Sequence, residues 1–118
     1  MTINAIAKMV HENAVAHGFH PEGQLNDTFM ADQLLNLHRE VSELSDARRS
    51  GILNQPCDKA DGMRKLGLTP LTNIEEEYAD IVIRALDQMA RFRIDVERVI
   101  LTKHEYNKTR PFRHNKLN

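Results

Sequence analysis

The chain has little of what stabilises disulfide-rich or β-rich domains. Of its 118 residues one is cysteine, none is tryptophan, and aromatic side chains make up only 5%. Because Cys57 is the only cysteine, no intramolecular disulfide can form, and a reducing compartment fits best. Glycine and proline are few, and the apolar residues are mostly leucine, isoleucine, valine, alanine and methionine. This composition favours helices over a β-sandwich.

Long apolar runs and an excess of one charge are also missing. No stretch approaches the roughly 18 apolar residues of a membrane span, and the N-terminus has no secretory signal pattern. Sixteen basic and 17 acidic residues leave a net charge of -1, which gives no general reason to expect nucleic acid or an anionic membrane as partner. We therefore expect a soluble, cytoplasmic protein with a single domain over residues 1–118.

The spacing of apolar residues predicts four helices. Their approximate ranges are 3–17, 28–49, 73–91 and 95–107. Pro21 and Gly23 lie in the first connection, and turn-forming residues predict a loop over 51–71. Nothing in the sequence indicates a strand. The expected fold is all-α, an antiparallel bundle of about four helices.

The two longest predicted helices differ in how their apolar residues are distributed. The second has a single apolar stripe, formed by Leu34, Leu37, Val41 and Leu44. Glu40 and Glu43 lie one position off this stripe, which places them at the edge of the predicted buried face. The middle of the third helix is apolar over much of its circumference, which predicts a central position in the bundle.

Two pairs of acidic residues have the spacing of a shared helical face. Glu40 and Glu43 are three residues apart in the second helix, and Glu77 and Asp80 in the third. Residues at this spacing lie on the same side of a helix, so two antiparallel helices can bring four carboxylates together. Such a group repels itself strongly unless a cation lies within it. Oxygen ligands without cysteine or suitably spaced histidine predict Mg²⁺, with Mn²⁺ as the alternative.

Each acidic pair also has a simpler interpretation. A Glu-x-x-Glu pair occurs on many solvated helices. The second pair belongs to a series at steps of three and four that predicts an exposed charge ladder, namely Asp80, Arg84, Asp87 and Arg91. Two other metal sites are excluded, since the chain contains neither the Glu-x-x-His pairs of a di-iron bundle nor the His-Glu-x-x-His pattern of a zinc protease.

Taken in order, these motifs resemble the MazG-like all-α nucleoside triphosphate pyrophosphohydrolases. The two metal-binding helices of that family resemble LHREVSELSDARRSG and IEEEYADIVIRALDQMA in this chain. Its first helix resembles IAKMVHENAVAHGF, and the tail of many bacterial and phage members is similar to KHEYNKTRPFRHNK. The resemblance covers most of the chain. The chain departs from the family pattern between Glu43 and Glu77, because these two residues are farther apart in sequence than is common in the family.

The resemblance implies a Mg²⁺-dependent enzyme that hydrolyses nucleoside or deoxynucleoside triphosphates between the α- and β-phosphates. The products would be a monophosphate and pyrophosphate. By position, the metal ligands would be Glu40, Glu43, Glu77 and Asp80. The residues that hold phosphate or sugar would be Lys103, Asn107, Lys108 and Arg110.

Several roles stay open at this point. Either Glu40 or Glu43 is expected to orient the attacking water, and spacing does not choose between them. Asn13 and His17, one turn apart in the first helix, are candidates for nucleobase contact or ordinary structural residues. The alternative function is a non-catalytic helical module that binds nucleotides or a partner helix.

The assembly state is also an expectation. Members of the resembling family form dimers or larger assemblies, so a homo-oligomer is expected. Tyr78 and Met89 are candidate interface residues, and packing in the core is the other role considered for both.

Overall fold

The computed structural model describes residues 1–20 and 26–115, and within them the regular structure is helical, with no strand. The helices are α1 (Ile3–Ala16), α2 (Asp27–Arg49), α3 (Ala60–Lys65), α4 (Asn73–Arg91) and α5 (Val96–Lys108), followed by a 3₁₀ helix at Phe112–Asn115. The all-α prediction is confirmed. The predicted connection at Pro21 and Gly23 lies outside the described residues. None of the described helices combines the length and apolar character needed to cross a membrane.

Residues 51–71 were expected to form a loop, and this prediction is wrong in part, because α3 lies inside the segment. The two ends of the segment are joined by backbone hydrogen bonds. The N–H of Cys57 donates to the carbonyl of Leu71 at 2.9 Å, and the N–H of Ile74 donates to that of Leu53 at 2.9 Å. Cys57 is itself buried. These bonds hold the two ends of the segment together, and α3 lies between them.

The helix ends follow from local chemistry. At the N-termini of α1, α2 and α5, a backbone N–H group of each helix donates a hydrogen bond to the side chain of Thr2, Asn26 and Asp95, respectively. Gly18 and Gly51 follow α1 and α2 with φ values of 81° and 71°. In this left-handed conformation a side chain would be strained, so glycine ends both helices at low cost.

The chain forms two compact units. The terminal unit consists of Met1–His20 with Leu86–Asn118, and the middle unit is Pro21–Ala85. Helix α4 begins in the middle unit and ends in the terminal unit. Within the terminal unit α1 packs against α5. The core there contains Ala7, Leu86 and Val96, with Ile3, Val10, Met89 and Ala90 packed against it. Met89 is thus a core residue.

In the middle unit, α2 buries a different face from the one its apolar stripe predicts. Its buried residues are Gln33, Glu40 and Ala47, which are seven residues apart and therefore share one side of the helix. Leu34 and Val41 of the stripe are each 49% exposed. Glu40 therefore lies on the buried face and not at its edge. Apolar side chains in the middle of α4 are also partly exposed to solvent.

Candidate metal centre

Helices α2 and α4 bring four acidic side chains together in the middle unit. Each of Glu40, Glu43, Glu77 and Asp80 offers a carboxylate oxygen, and these oxygens all lie within 4.8 Å of one another. We call this group the carboxylate cluster. Glu40 is buried, Glu77 and Asp80 are partly buried, and Glu43 is exposed. The two sequence motifs thus meet in space.

The first turn of α4 separates three neighbouring glutamates into different roles. Glu75 accepts hydrogen bonds from the backbone N–H of Thr72 at 2.9 Å and from its hydroxyl at 3.0 Å. This reciprocal cap stabilises the helix N-terminus and holds the pKa of Glu75 below its usual value. Glu76 is instead buried and forms an ion pair with Lys59, while Glu77 joins the carboxylate cluster. Only Glu75 serves the helix end.

Burial and repulsion between neighbouring carboxylates raise the pKa values of Glu77, Asp80 and Glu43. Burial, followed by the charge of Glu43, raises the pKa of Glu77 to about 7. Burial, followed by the charge of Glu40, raises the pKa of both Asp80 and Glu43. One oxygen of Glu77, Oε2, is buried and has no hydrogen-bond partner in the part of the chain that the structure describes. A buried, partnerless carboxylate oxygen is costly, and a bound cation would remove that cost.

One basic side chain pairs with a member of the carboxylate cluster and another with the neighbouring Glu76, and neither was predicted as a site residue from the sequence. The guanidinium of Arg84 donates from Nε to Oε1 of Glu40 at 3.2 Å. The ammonium of Lys59 donates to Glu76. The sequence did contain a signal for the position of Arg84. Glu76, Asp80 and Arg84 follow one another at four-residue steps and therefore share one face of α4. Because that face contacts other side chains, its residues do not form an exposed charge ladder.

A cleft of about 450 Å³ opens beside the carboxylate cluster within the middle unit. Glu43 and Glu77 form part of its wall. Asp58 and Lys59, from the segment between α2 and α4, also line it, as does Asn73 at the start of α4. The cleft is within the usual size range for small-molecule sites. A ligand in the cleft can therefore reach Glu43 and Glu77.

A second group of possible metal ligands lies in the terminal unit and consists of His11, His20 and Asp87, which we call the histidine cluster. His11 Nδ1 donates to Asp87 Oδ1 at 2.8 Å, and His20 Nε2 donates to the same carboxylate at 2.7 and 2.8 Å. Two ligands of one tetrahedral zinc ion lie about 3.3 Å apart. The shorter distances are those of hydrogen bonds. The prediction that Asp87 is exposed is wrong, since only 3% of its side chain is accessible.

The six predicted substrate contacts all lie in the terminal unit. Asn13 of α1 and His17, which follows its last residue, are exposed, and His17 Nδ1 donates to the carbonyl of Asn13 at 2.8 Å. In and after α5, Lys103 lies 5.2 Å from the ring of Tyr106, and Lys108 pairs with Glu105 at 3.2 Å. Asn107 and Arg110 are partly buried. Lys116, in the tail segment, lies outside the described residues. Substrate binding by all six stays a prediction.

The carboxylate cluster is suited to a hard divalent cation. It offers oxygen ligands alone, which Mg²⁺ and Mn²⁺ accept, and two such ions would balance four ionised carboxylates. The histidine cluster already satisfies its single carboxylate with two N–H donors. No family model matches the chain, and the comparisons with curated proteins and with solved structures found no match either.

Proposed function

We propose that this protein is a Mg²⁺-dependent pyrophosphohydrolase, which cleaves nucleoside or deoxynucleoside triphosphates between the α- and β-phosphates. The products are the monophosphate and pyrophosphate. The proposal joins the resemblance to MazG-like enzymes with the carboxylate cluster. It includes an antiparallel MazG-like bundle as the architecture and a homo-oligomer as the assembly.

One observation carries the proposal, namely that four carboxylates from two helices converge beside a cleft. Their oxygens lie within 4.8 Å of one another, and one buried oxygen of Glu77 has no partner among the described residues. Without a cation this arrangement opposes folding, because like charges are gathered where water is partly excluded. A protein that keeps such an arrangement gains most from it when a divalent cation is bound.

The side chains divide the work by their surroundings. Glu40, Glu43, Glu77 and Asp80 would hold the metal, and Arg84 keeps the Glu40 carboxylate in place through its 3.2 Å hydrogen bond. When bound, Mg²⁺ neutralises phosphate charge and acidifies the attacking water. The cleft admits the polyphosphate next to Glu43 and Glu77.

Glu43 is our candidate for orienting the attacking water. Its side chain is exposed and lines the cleft, whereas Glu40 is buried and already accepts a hydrogen bond from Arg84. Glu43 can therefore contact both the cluster and a water in the cleft. It would take the proton of that water as the new oxygen–phosphorus bond forms and the anhydride bond breaks.

A nucleotide panel tests the activity directly. Eight nucleoside and deoxynucleoside triphosphates are incubated with the protein in Mg²⁺ or in EDTA, and monophosphate and pyrophosphate are separated by anion-exchange chromatography. We expect hydrolysis of at least one nucleotide in Mg²⁺ and none in EDTA. Glu43→Gln should lower kcat by at least about 100-fold, the scale of losing a positioned acid–base group.

The matched control is Asp32→Asn, which removes an exposed carboxylate from the same helix. It should leave kcat within about twofold, and circular dichroism should show equal helicity for both variants. Absence of Mg²⁺-dependent hydrolysis across the panel would overturn the proposed activity. Full activity of Glu43→Gln would overturn the role of Glu43.

The residues of the α5 region are tested on the same assay. Lys103→Met and Arg110→Met each remove one charge that the resemblance assigns to phosphate or sugar binding. We expect a higher KM with little change in kcat, because uniform binding of substrate and transition state is lost. An unchanged KM in both variants would contradict the assignment of these two residues to phosphate or sugar binding.

The proposed homo-oligomer rests on the apolar surface of the middle unit. Leu34 and Val41 of α2 are 49% exposed, and Tyr78 of α4 is 55% exposed. Val41 and Tyr78 also line an apolar groove of about 280 Å³ together with Leu44. Exposed apolar surface of this extent is typical of an interface. We propose that a second copy of the chain covers it.

Val41→Asp tests this assembly by placing a charge in the groove. Light scattering after size exclusion should give at least twice the 13.6 kDa chain mass for the wild type and a single chain mass for the variant. Val15→Asp, at an exposed apolar position of α1, should keep the wild-type mass. A monomeric wild type at micromolar concentration would overturn the proposed assembly.

A further inference from the structure

One basic side chain lines the cleft beside the carboxylate cluster. Among the described lining residues, Lys59 is the only lysine or arginine, and it shares the wall with four acids, Glu43, Asp46, Asp58 and Glu77. A polyphosphate that enters this cleft therefore faces mainly negative charge. Even with metal on the carboxylate cluster, the ammonium of Lys59 is the group in the lining of this cleft best able to attract phosphate oxygen.

The ammonium of Lys59 is held in position by two carboxylates. It donates one hydrogen bond to Glu76 and another to Asp58, the latter at 3.1 Å. Glu76 is buried, with 7% of its side chain accessible, and lies next to Glu77 in α4. This pair fixes the Lys59 ammonium close to the metal ligands. The side chain of Lys59 is nevertheless 64% exposed, so a ligand can reach it.

Within the part of the chain that the structure describes, the ammonium of Lys59 has one N–H donor left for a ligand. An ammonium group has three N–H donors, and Glu76 and Asp58 account for two of them. The third can be given to a ligand without breaking the ion pair that keeps Glu76 paired. A positioned donor of this kind binds phosphate without first losing conformational freedom.

We propose that Lys59 is a substrate-binding residue, which donates a hydrogen bond to the polyphosphate of the nucleotide in this cleft. The identity of the substrate rests on the proposed function. The contact itself rests on the cleft and on the ion pairs of Lys59. Lys59 lies between Glu43 and Glu77, in the segment that is longer here than is common in MazG-like enzymes. The proposed contact therefore comes from a segment in which this chain departs from that family.

The test measures binding of inorganic tripolyphosphate in Mg²⁺ by isothermal titration calorimetry, which needs no turnover. Because Lys59→Met would leave buried Glu76 unpaired, the comparison is made in the Glu76→Gln background. We expect Lys59→Met in that background to weaken binding by about tenfold or more, as for other hydrogen bonds to charged groups. Lys59→Arg should restore most of the affinity, since the charge is kept.

Lys65→Met, which removes an exposed lysine from α3, is the matched control and should bind like its parent. Titration with Mg²⁺ alone should show no loss of metal affinity in the Lys59 variants. Equal tripolyphosphate affinity with and without Lys59 overturns the proposal, as does a wild type that binds no tripolyphosphate. Lys59-dependent binding in a protein that hydrolyses no nucleotide supports this inference and overturns the proposed activity instead.

Discussion

The two units place acidic side chains in opposite surroundings. In the middle unit, the four acids of the carboxylate cluster face one another, and their mutual repulsion adds to burial in raising the pKa of Glu77 to about 7. In the terminal unit, the single carboxylate of Asp87 is buried between two imidazoles that donate to it at 2.7 and 2.8 Å. Among the residues that the structure describes, the carboxylate cluster has too few positive partners to balance its charge, whereas Asp87 has two N–H donors.

The difference distinguishes a carboxylate whose charge the protein itself satisfies from carboxylates whose charge a cation could satisfy. A buried carboxylate with enough donors is satisfied by the protein and contributes to stability. Carboxylates gathered without enough donors destabilise the fold until a cation arrives. The histidine cluster should therefore matter to stability alone, and the carboxylate cluster should make stability depend on Mg²⁺.

The largest expected effect on stability comes from breaking the histidine cluster. Asp87→Ala removes the acceptor shared by His11 and His20 and should lower the free energy of unfolding by about 3 kcal/mol. Chemical denaturation should show this loss equally in Mg²⁺ and in EDTA. Asp46→Ala, which removes an exposed ion pair with Arg49, should stay within about 0.5 kcal/mol of the wild type. A loss confined to Mg²⁺-containing buffer would contradict this role of Asp87.

The next effect is the gain of stability from metal. At a Mg²⁺ concentration one hundred times its Kd, the wild type should gain about 2.7 kcal/mol over the protein in EDTA. Glu77→Gln should abolish most of this gain and should melt higher than the wild type in EDTA, because one repelling charge is gone. Thermal melts at pH 7.5 measure both quantities.

Glu75→Ala is the control for that comparison, since Glu75 lies two residues away and caps α4 without joining the carboxylate cluster. It should lower the melting temperature by about 2 °C in either buffer and leave the Mg²⁺ gain unchanged. If Glu77→Gln and Glu75→Ala respond alike to Mg²⁺, the carboxylate cluster does not bind the metal.

The smallest effect is the pH dependence of the metal-free protein. The folded-state pKa of Glu77, about 7, lies above its ordinary value of 4.5, so the folded protein holds more protons than the unfolded one between these pH values. Its free energy of unfolding should therefore fall as pH rises from about 4.5 to about 7. Melting temperatures in EDTA should decline across this window by several degrees. Glu77→Gln should flatten the decline, and a melting temperature that rises instead would contradict the assigned shift.

Local spacing was enough to predict much of the helical pattern. Apolar periodicity located α5 to within one residue at each end, and Asp95 proved to be its capping residue. The three-residue spacing within each acidic pair also predicted that the carboxylates of each helix would point the same way. These features depend on residues close in sequence, whose relative positions are set by helix geometry.

Two other features, which depend on residues distant in sequence, were missed. The histidine cluster joins His11 to Asp87 across 76 residues, and no periodicity within α4 reveals that partner. The buried face of α2 was mistaken for the same reason: its apolar stripe is half exposed in the single chain, and Glu40 faces inward toward Arg84. Helix periodicity identifies faces, while tertiary partners decide which face is buried.

The hydrogen bonds that close the base of residues 51–71 have a consequence for how this protein can change over evolutionary time. Because Leu53 is hydrogen-bonded to Ile74 and Cys57 to Leu71, the chain between Lys59 and Leu71 can lengthen without moving Glu77 or breaking the ion pair between Lys59 and Glu76. Such insertions cost little, since loop entropy grows slowly with length. The segment beside the cleft can therefore vary in length while the carboxylate cluster keeps its position.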